Sequence, residues 1–448
     1  MNIKTFSLFA LVLLQSISSL AKVSQDQANK LGAELTPMGG EMKANKDGSI
    51  PRYSGGLDQD LNSDQFNDIY KIERPLFVIT AKNISKYQDK LSEGQKALFR
   101  TFPDTYTMPV YKTHRNASAP QAIYQKVRAN ASKTQLVNGG NGLVNFDESV
   151  PFAIPKTGVE IIWNHISRYR GGTIEINSAQ LSVQRNGSFQ AIKTRARSTT
   201  PYYLKGGFDE EKDTNILFYF MQRVKSPARY TGNTLLIHET IDQVKQPRMA
   251  WSYNAGQRRV RRAPQVAYDA PLRASGGLRT SDQVDMFNGS PDRYDWKLVS
   301  KKEIYIPYNS YKLADKNVKY TDIIGAGHIN QNYTRYELHR VWQVEATLKE
   351  GARHIYAKRT FYIDEDSWQI ALADHYDNRG ELWRVSEGHG MQFVNVDSFL
   401  FSSVTSYDLI SGRYFIELSN EEKSPFKFNK EMKRKEFTSA ALRRQGKR

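Results

Sequence analysis

The chain has 448 residues, with 64 lysines and arginines against 47 carboxylates, eight histidines and no cysteine. The absence of cysteine excludes disulfides, thiol catalysis, thiolate zinc sites and a lipid-modified N-terminal cysteine. A formal net charge of +17 in an exported chain matches anionic headgroups, phosphates or acidic partners, and no nucleic acid partner is expected.

Residues 1–21 read as a secretory signal peptide. Lys4 supplies the positive start, Phe6 to Leu14 a short apolar core, and Ser19-Leu20-Ala21 the small residues that place cleavage after Ala21. That core is too short to span a bilayer, and no later run reaches the roughly 18 apolar residues that a span needs.

Residues 22–60 read as an extended, turn-rich arm, because Gly, Asn, Asp and Lys dominate and large apolar residues are few. Asn45, Asp47 and Gly48 resemble the start of a calcium loop, but the alternating acids and the closing Glu are missing, so a turn is expected. Residues 61–150 read as a helical segment. Tyr87, Leu91 and Leu98 fall near one helical face before Pro103, and Ile123, Val127 and Ala131 keep a four-residue spacing within a second helix, Ala119 to Val137.

From 151 to 420 the period changes to two. Tyr336, Leu338, Trp342, Val344, Ala346 and Leu348 alternate with Glu337, His339, Gln343, Glu345 and Thr347, which predicts a strand with an apolar and a polar face. Similar signals recur in 172–184, 215–224, 301–306, 354–363 and 368–376, so consecutive hairpins in one large curved antiparallel sheet are expected. The chain looks organised around the stretch 232–269, which reads as strands with a broad apolar face and a basic rim at the end. Leu235, Ile237 and Ile241 share one parity, Met249, Trp251 and Tyr253 continue the period, and Asn254-Ala255-Gly256 makes the turn. Residues 421–448 carry ten basic and four acidic residues and read as a basic, solvated C-terminal tail.

All six tryptophans lie between Trp163 and Trp383. Aromatic side chains of this kind pack a core or wall a cavity for an apolar ligand. The candidate cavity residues are Trp251, Tyr253, Trp296, Trp342, Val344 and Phe361. Arg258, Arg259, Arg261 and Arg262 form a basic cluster after the turn. On a strand, Arg259 and Arg261 share one face while Arg258, Val260 and Arg262 share the other. Such arginines pair with carboxylates such as Asp282, Asp285, Asp292 or Asp295, or receive an anionic headgroup at the mouth of the sheet.

Catalytic patterns are sparse. The chain contains no Gly-x-Ser-x-Gly elbow and no His-Glu-x-x-His pair. Asp374 and His375 are neighbours, but neighbours on a strand point to opposite faces. No catalytic residue, metal ligand or cofactor is assigned, and the chain is read as a non-enzyme.

Several motifs resemble a known family. They are Leu35-Thr-Pro-Met-Gly-Gly40, Asp47-Gly-Ser-Ile-Pro51, Gly55-Gly56, Tyr111-Lys-Thr-His-Arg115, Ile162-Trp-Asn-His-Ile-Ser-Arg-Tyr-Arg-Gly171, Gly256-Gln-Arg-Arg-Val-Arg-Arg-Ala-Pro264, Phe287-Asn-Gly289 with Asp292-Arg-Tyr-Asp-Trp296, and Arg335-Tyr-Glu-Leu-His-Arg-Val-Trp342. In this order they resemble an exported Gram-negative family of unknown function, the DUF1329 type. Ser49 and Tyr53 stand where most members of that family carry Thr and Trp. The resemblance implies a fold similar to the LolA/LolB lipoprotein-sorting carriers, an open antiparallel half-barrel with helices against it. It further implies a periplasmic location and the company of RND-type exporters of the MMPL group and outer-membrane proteins. The function expected is a carrier or chaperone for a lipid or lipid-modified molecule. The alternatives are a docking subunit of an envelope complex and a periplasmic hydrolase.

Overall fold

A computed structural model describes residues 23–57, 66, 68–263, 268–421 and 425–446. The expected signal peptide and its cleavage after Ala21 lie outside these residues. Two short strands come first, β1 (Phe77–Ile79) and β2 (Met108–Val110), followed by a small separate hairpin of β3 (Gln135–Val137) and β4 (Gly142–Val144). Then come β5 (Ile174–Val183), β6 (Phe189–Thr199), β7 (Ile216–Ser226), β8 (Thr234–Thr240), β9 (Met249–Asn254), β10 (Arg259–Arg262) and β11 (Tyr294–Pro307). The series closes with β12 (Tyr336–Leu348), β13 (Lys358–Asp364), β14 (Ile370–Tyr376), β15 (Leu382–Phe393), β16 (Ser398–Asp408), β17 (Tyr414–Leu418) and β18 (Phe426–Phe428).

Sixteen of these strands form one sheet in the order β1-β2-β12-β13-β14-β15-β16-β17-β5-β6-β7-β8-β9-β10, with β11 also on β12 and β18 on β5. The neighbours are antiparallel, except for the parallel contact of β2 with β12. The sheet is large, curved and not closed into a barrel, as the two-residue periods predict.

Register defines the two faces. One row runs Val344–Phe361–Ala373–Ser386–Ser406–Phe415–Ser182 from β12 to β5. Over the β11–β14 end of this face lies the helix Gly158–Ser167, buried on every side. Thr157 and Glu160 form its capping box, which satisfies the free N–H groups of the first turn. Gly158 is required there, since a Cβ would stand 2.9 Å from the backbone of Trp296 and Lys297. Trp163 and the helix isoleucines fill the space against Val344, Phe361 and Trp368.

The opposite face is covered as well. The helix Glu93–Thr101 and residues 313–329 pack on Leu181, Val385, Tyr407 and Ile416. Glu337 and His339, expected on a wet face, are buried too: they pair with Ile306 and Ile304, His339 stacks on Tyr308, and Glu337 accepts from Arg335 and Asn309.

Several boundaries differ from expectation. The 61–150 segment is not purely helical: it supplies β1, β2 and the β3–β4 hairpin, and its helices are Glu93–Thr101 and Gln121–Lys133. The first of them starts after Ser92 rather than at Tyr87, because Ser92 and Gln95 make a capping box. The strands of the 232–269 stretch, β8–β10, form an end of the sheet, since among the described residues β10 pairs with β9 alone. The arm is turn-rich over its described residues but buried where it crosses the sheet: Ile50 is inaccessible and Trp368 donates to the Met38 carbonyl. Of the expected C-terminal tail, the described residues 425–446 do not hang free. β18 pairs with β5, and Met432, Phe437 and Leu442 pack on Tyr219, Leu236 and Tyr253.

Candidate functional site

The face that the Gly158–Ser167 helix covers at one end is left open at the other. There, cross-strand rows Ile174–Ser198–Phe220–Ile237 and Ile176–Ala196–Gln222–Leu235 span β5 to β8. Val404, Glu417 and Gln180 continue the face across β16, β17 and β5. These residues line a cavity of about 300 Å³. Its remaining wall comes from Ser167–Arg170 at the end of the helix and from residues between Leu272 and Asn288. The lining is mainly apolar, which suits a hydrophobic ligand.

The alternation of β7 explains the wall locally. Phe218, Phe220 and Gln222 point into the cavity, while Tyr219 and Met221 turn to the opposite face and meet Phe437. The helix stops at Arg168, whose backbone is extended, and Gly171 and Gly172 take left-handed conformations that return the chain into β5.

Charged groups sit at this end in pairs. Arg168 holds Asp285 in a two-pronged contact of 3.0 and 2.7 Å, and Arg170 adds a bond of 2.8 Å. Burial pushes the Asp285 carboxyl up, but the two guanidiniums outweigh it and hold the group well below the usual carboxylate range. Asp285 and Met286 both adopt left-handed backbone, a conformation that a non-glycine residue keeps only where its surroundings impose it. His165 supplies one such restraint: Nε2 lies 2.8 Å from the Asp285 carbonyl, while Nδ1 accepts from the Ile370 N–H. Burial, then the Arg168 charge, lowers its pKa to about 3, so the ring is neutral. Arg248 is clamped on Glu239 and also donates to the Asn288 carbonyl.

Arg279 differs from these three. It is 3% exposed and lines the cavity, yet among the described residues its guanidinium makes no hydrogen bond. Its nearest carboxylate is Glu417 at 3.7 Å, and its Cζ lies 4.3 Å from the Phe415 ring centre. Burial lowers its pKa, and Glu417 and Asp285 oppose that shift.

The six candidate cavity residues take other places. Trp296, Trp342, Val344 and Phe361 lie on the cavity face, but under the Gly158–Ser167 helix, where Val344 and Phe361 are inaccessible core. Trp342 stacks parallel to Trp368. Trp251 and Tyr253 pair with Leu236 and Thr234, which puts them on the opposite face, against the C-terminal segment. None of the six lines the cavity.

The basic cluster divides as its parity predicts, except that Arg258 belongs to the turn, with φ +56°. All four arginines are exposed. Arg261 continues the row Leu235–Ser252–Arg261, so it and Arg259 lie on the cavity face at the sheet end. Arg262 lies over Trp251 on the other side. The carboxylates considered as partners are engaged elsewhere: Asp282 with Arg359 and His354, Asp285 with Arg168 and Arg170, and Asp292 with the Tyr268 hydroxyl. Asp295 is exposed on β11.

Two buried clusters lie outside the cavity. Asp282, His354 and Arg359 are enclosed by Phe287, Tyr294 and Tyr356, whose rings face the Arg359 guanidinium. His339, Asp364 and Asp366 offer donor atoms within 4.8 Å of one another. Both Asp366 oxygens, however, accept from Arg115 at 2.8 and 2.7 Å, so a cation there competes with a guanidinium.

The residues that build the cavity were only partly visible in the sequence. The Asn215–Val224 and Gly172–Gln184 signals contain Phe218, Phe220 and Ile174, and the Ile162–Gly171 motif contains Arg168 and Arg170. β6 and Arg279 carried no signal.

Comparison with known proteins places the chain in context. The family model for a protein of unknown function, DUF1329, matches residues 78–443. An uncharacterised protein of Pseudomonas aeruginosa is 56% identical over 432 residues, 95% of each chain. Similar solved structures include a candidate outer membrane lipoprotein-sorting protein domain from Vibrio parahaemolyticus, at 13% identity and a TM-score of 0.44 over 64% of this chain and 98% of that one. A DUF1329 family protein from Desulfovibrio piger gives 15% identity and a TM-score of 0.41 over 60% and 91%. A LolA superfamily protein from Nitrosomonas europaea gives 12% and 0.39 over 63% and 98%. Among the described residues no helix is long and apolar enough to cross a membrane.

Proposed function

The chain belongs to the DUF1329 family of proteins of unknown function, a membership that assigns no activity, and from its cavity we propose that it is a periplasmic carrier or chaperone for a hydrophobic, lipid or lipid-modified molecule. The observation that carries this reading is the apolar cavity of about 300 Å³ between β5–β8 and the end of the Gly158–Ser167 helix. Its size falls at the lower end of ligand sites, which suits one acyl chain rather than several. In this reading the protein is no enzyme, and it works beside an RND-type exporter and an outer-membrane protein. The partner class comes from the sequence resemblance.

Ser198 and Ala196 are small residues in the middle of the wall. Ser198→Trp places an indole where the ligand lies. A neutral fluorescent probe such as N-phenylnaphthylamine should bind the natural protein and lose at least about tenfold in affinity to the variant, whose circular dichroism stays native. Equal binding by both proteins would remove the cavity from the function. Mass spectrometry of lipid that co-purifies from periplasm identifies the natural cargo.

The docking alternative rests on one feature. Ile72, Leu76 and Val78 are exposed beside the edge strand β1, and an open edge with apolar neighbours is a place where another chain adds.

A further inference from the structure

Burying a cation without partners is costly, so an internal arginine is normally wrapped in acceptors. Three of the four arginines lining the cavity obey this rule: Arg168 and Arg170 share Asp285, and Arg248 holds Glu239. Arg279 does not. A guanidinium offers five N–H donors, and among the described residues none of those on Arg279 is engaged in a hydrogen bond. Its Nε is buried without a partner among those residues. Glu417 stands at 3.7 Å, beyond hydrogen-bond reach, and one of its oxygens already accepts from Ser178 at 2.8 Å. The Phe415 ring steers the guanidinium over the cavity face of β17. Beside it, Arg168 also keeps a buried, unpartnered Nε at the cavity wall.

We propose that Arg279 receives the anionic group of the cavity ligand, a carboxylate or a phosphate, with its apolar chain lying along Phe218, Phe220, Leu235 and Ile237. This rests on the carrier reading and narrows its cargo to single-chain anionic amphiphiles. The planar fork of Arg279 meets two oxygens of such a head in a charge-assisted contact. Glu417 repels the same head, so the ligand binds against that repulsion, and the Arg279–Glu417 contact lengthens or breaks as it enters.

The experiment is displacement of N-phenylnaphthylamine from the signal-cleaved protein by dodecanoate, dodecyl phosphate and dodecanol at neutral pH. The natural protein should bind one or both anions at least about tenfold more tightly than the alcohol. Dodecanoate alone passing this mark points to free fatty acids, dodecyl phosphate alone to phosphate-headed lipids. In Arg279→Met the ratio of anion to alcohol affinity should collapse towards one. Glu417→Gln moves the other way and raises the ratio, which keeps the proposal testable if the Arg279 variant does not fold. Equal affinity for anion and alcohol in the natural protein overturns the assignment and leaves the carrier reading intact. Failure of the probe and of all three amphiphiles to bind overturns both.

Discussion

Glu387 shows how one buried side chain sets a pH dependence. It lies on the face opposite the cavity, where the Tyr336 hydroxyl reaches its two oxygens at 3.1 and 3.3 Å. Burial pushes its carboxyl up to about 7, and the tyrosine hydrogen bonds only partly resist this. Asp374, on the same face, is likewise pushed up to about 7 by burial, against bonds from Gly94 and Ser92. An unfolded glutamate titrates near 4.3. The folded state therefore holds the proton more tightly, and this contribution is complete below about pH 4 and lost as pH rises through about 7. Glu387→Gln, which stays neutral, should match the natural protein in denaturant midpoint at about pH 4. At pH 8 it should be the more stable by about 1–3 kcal/mol, at roughly 1.4 kcal/mol per pKa unit. A difference that does not change with pH would show that the carboxyl is not held neutral. The carboxylates of Asp282 and Asp285 act in the opposite sense. Arg359 and Arg168 override burial and depress them, so their stabilisation is lost as pH falls below the ordinary carboxylate range.

Among the elements, the C-terminal segment shows most clearly how packing overrides composition. Its ten basic residues read as a solvated tail, yet its few apolar residues meet a matching surface. Phe437 packs on Tyr219 at 5.5 Å between ring centres, and its carbonyl lies 2.7 Å from His238 Nε2. Met432 and Leu442 complete the cluster over β7–β9. Phe437→Ala should therefore cost about 3–5 kcal/mol in chemical denaturation, whereas a solvated tail tolerates such a change within about 0.5 kcal/mol. The segment covers the face opposite the cavity, so it braces the strands that form the cavity wall.

For the whole molecule, the cavity and the basic sheet end share one face. Arg261 lies two strands beyond Leu235, about 10 Å at the spacing of paired strands. Exposed arginines on an end strand discourage edge pairing, and they also attract an anionic surface. Arg259→Ala combined with Arg261→Ala should weaken binding to phosphatidylglycerol vesicles several-fold and leave neutral vesicles unaffected. Added salt should erase the difference, since such charges are screened within about 8 Å at physiological ionic strength. Equal loss on both vesicle types would assign these arginines to edge protection alone.

Alternation in the sequence was enough to determine β5, β7–β9 and β11–β14, the antiparallel sheet and the parity of single residues, but not β6 or β15–β18. Trp342, Val344 and Phe361 do share a face with the cavity, and Arg259 and Arg261 do point together, because side-chain parity is a property of the strand itself. The sequence did not determine which stretch of that face is covered. A helix from residues 158–167 closes the β11–β14 end, and the β5–β8 end stays open beneath residues 272–288. Register added a second decision: one step between β8 and β9 turned Trp251 and Tyr253 away from the cavity. Arg279 was illegible for a related reason. It sits in an irregular segment without a period, and only the fold reveals that a buried cation there lines an open cavity, with Glu417 at 3.7 Å and no hydrogen-bond partner among the described residues.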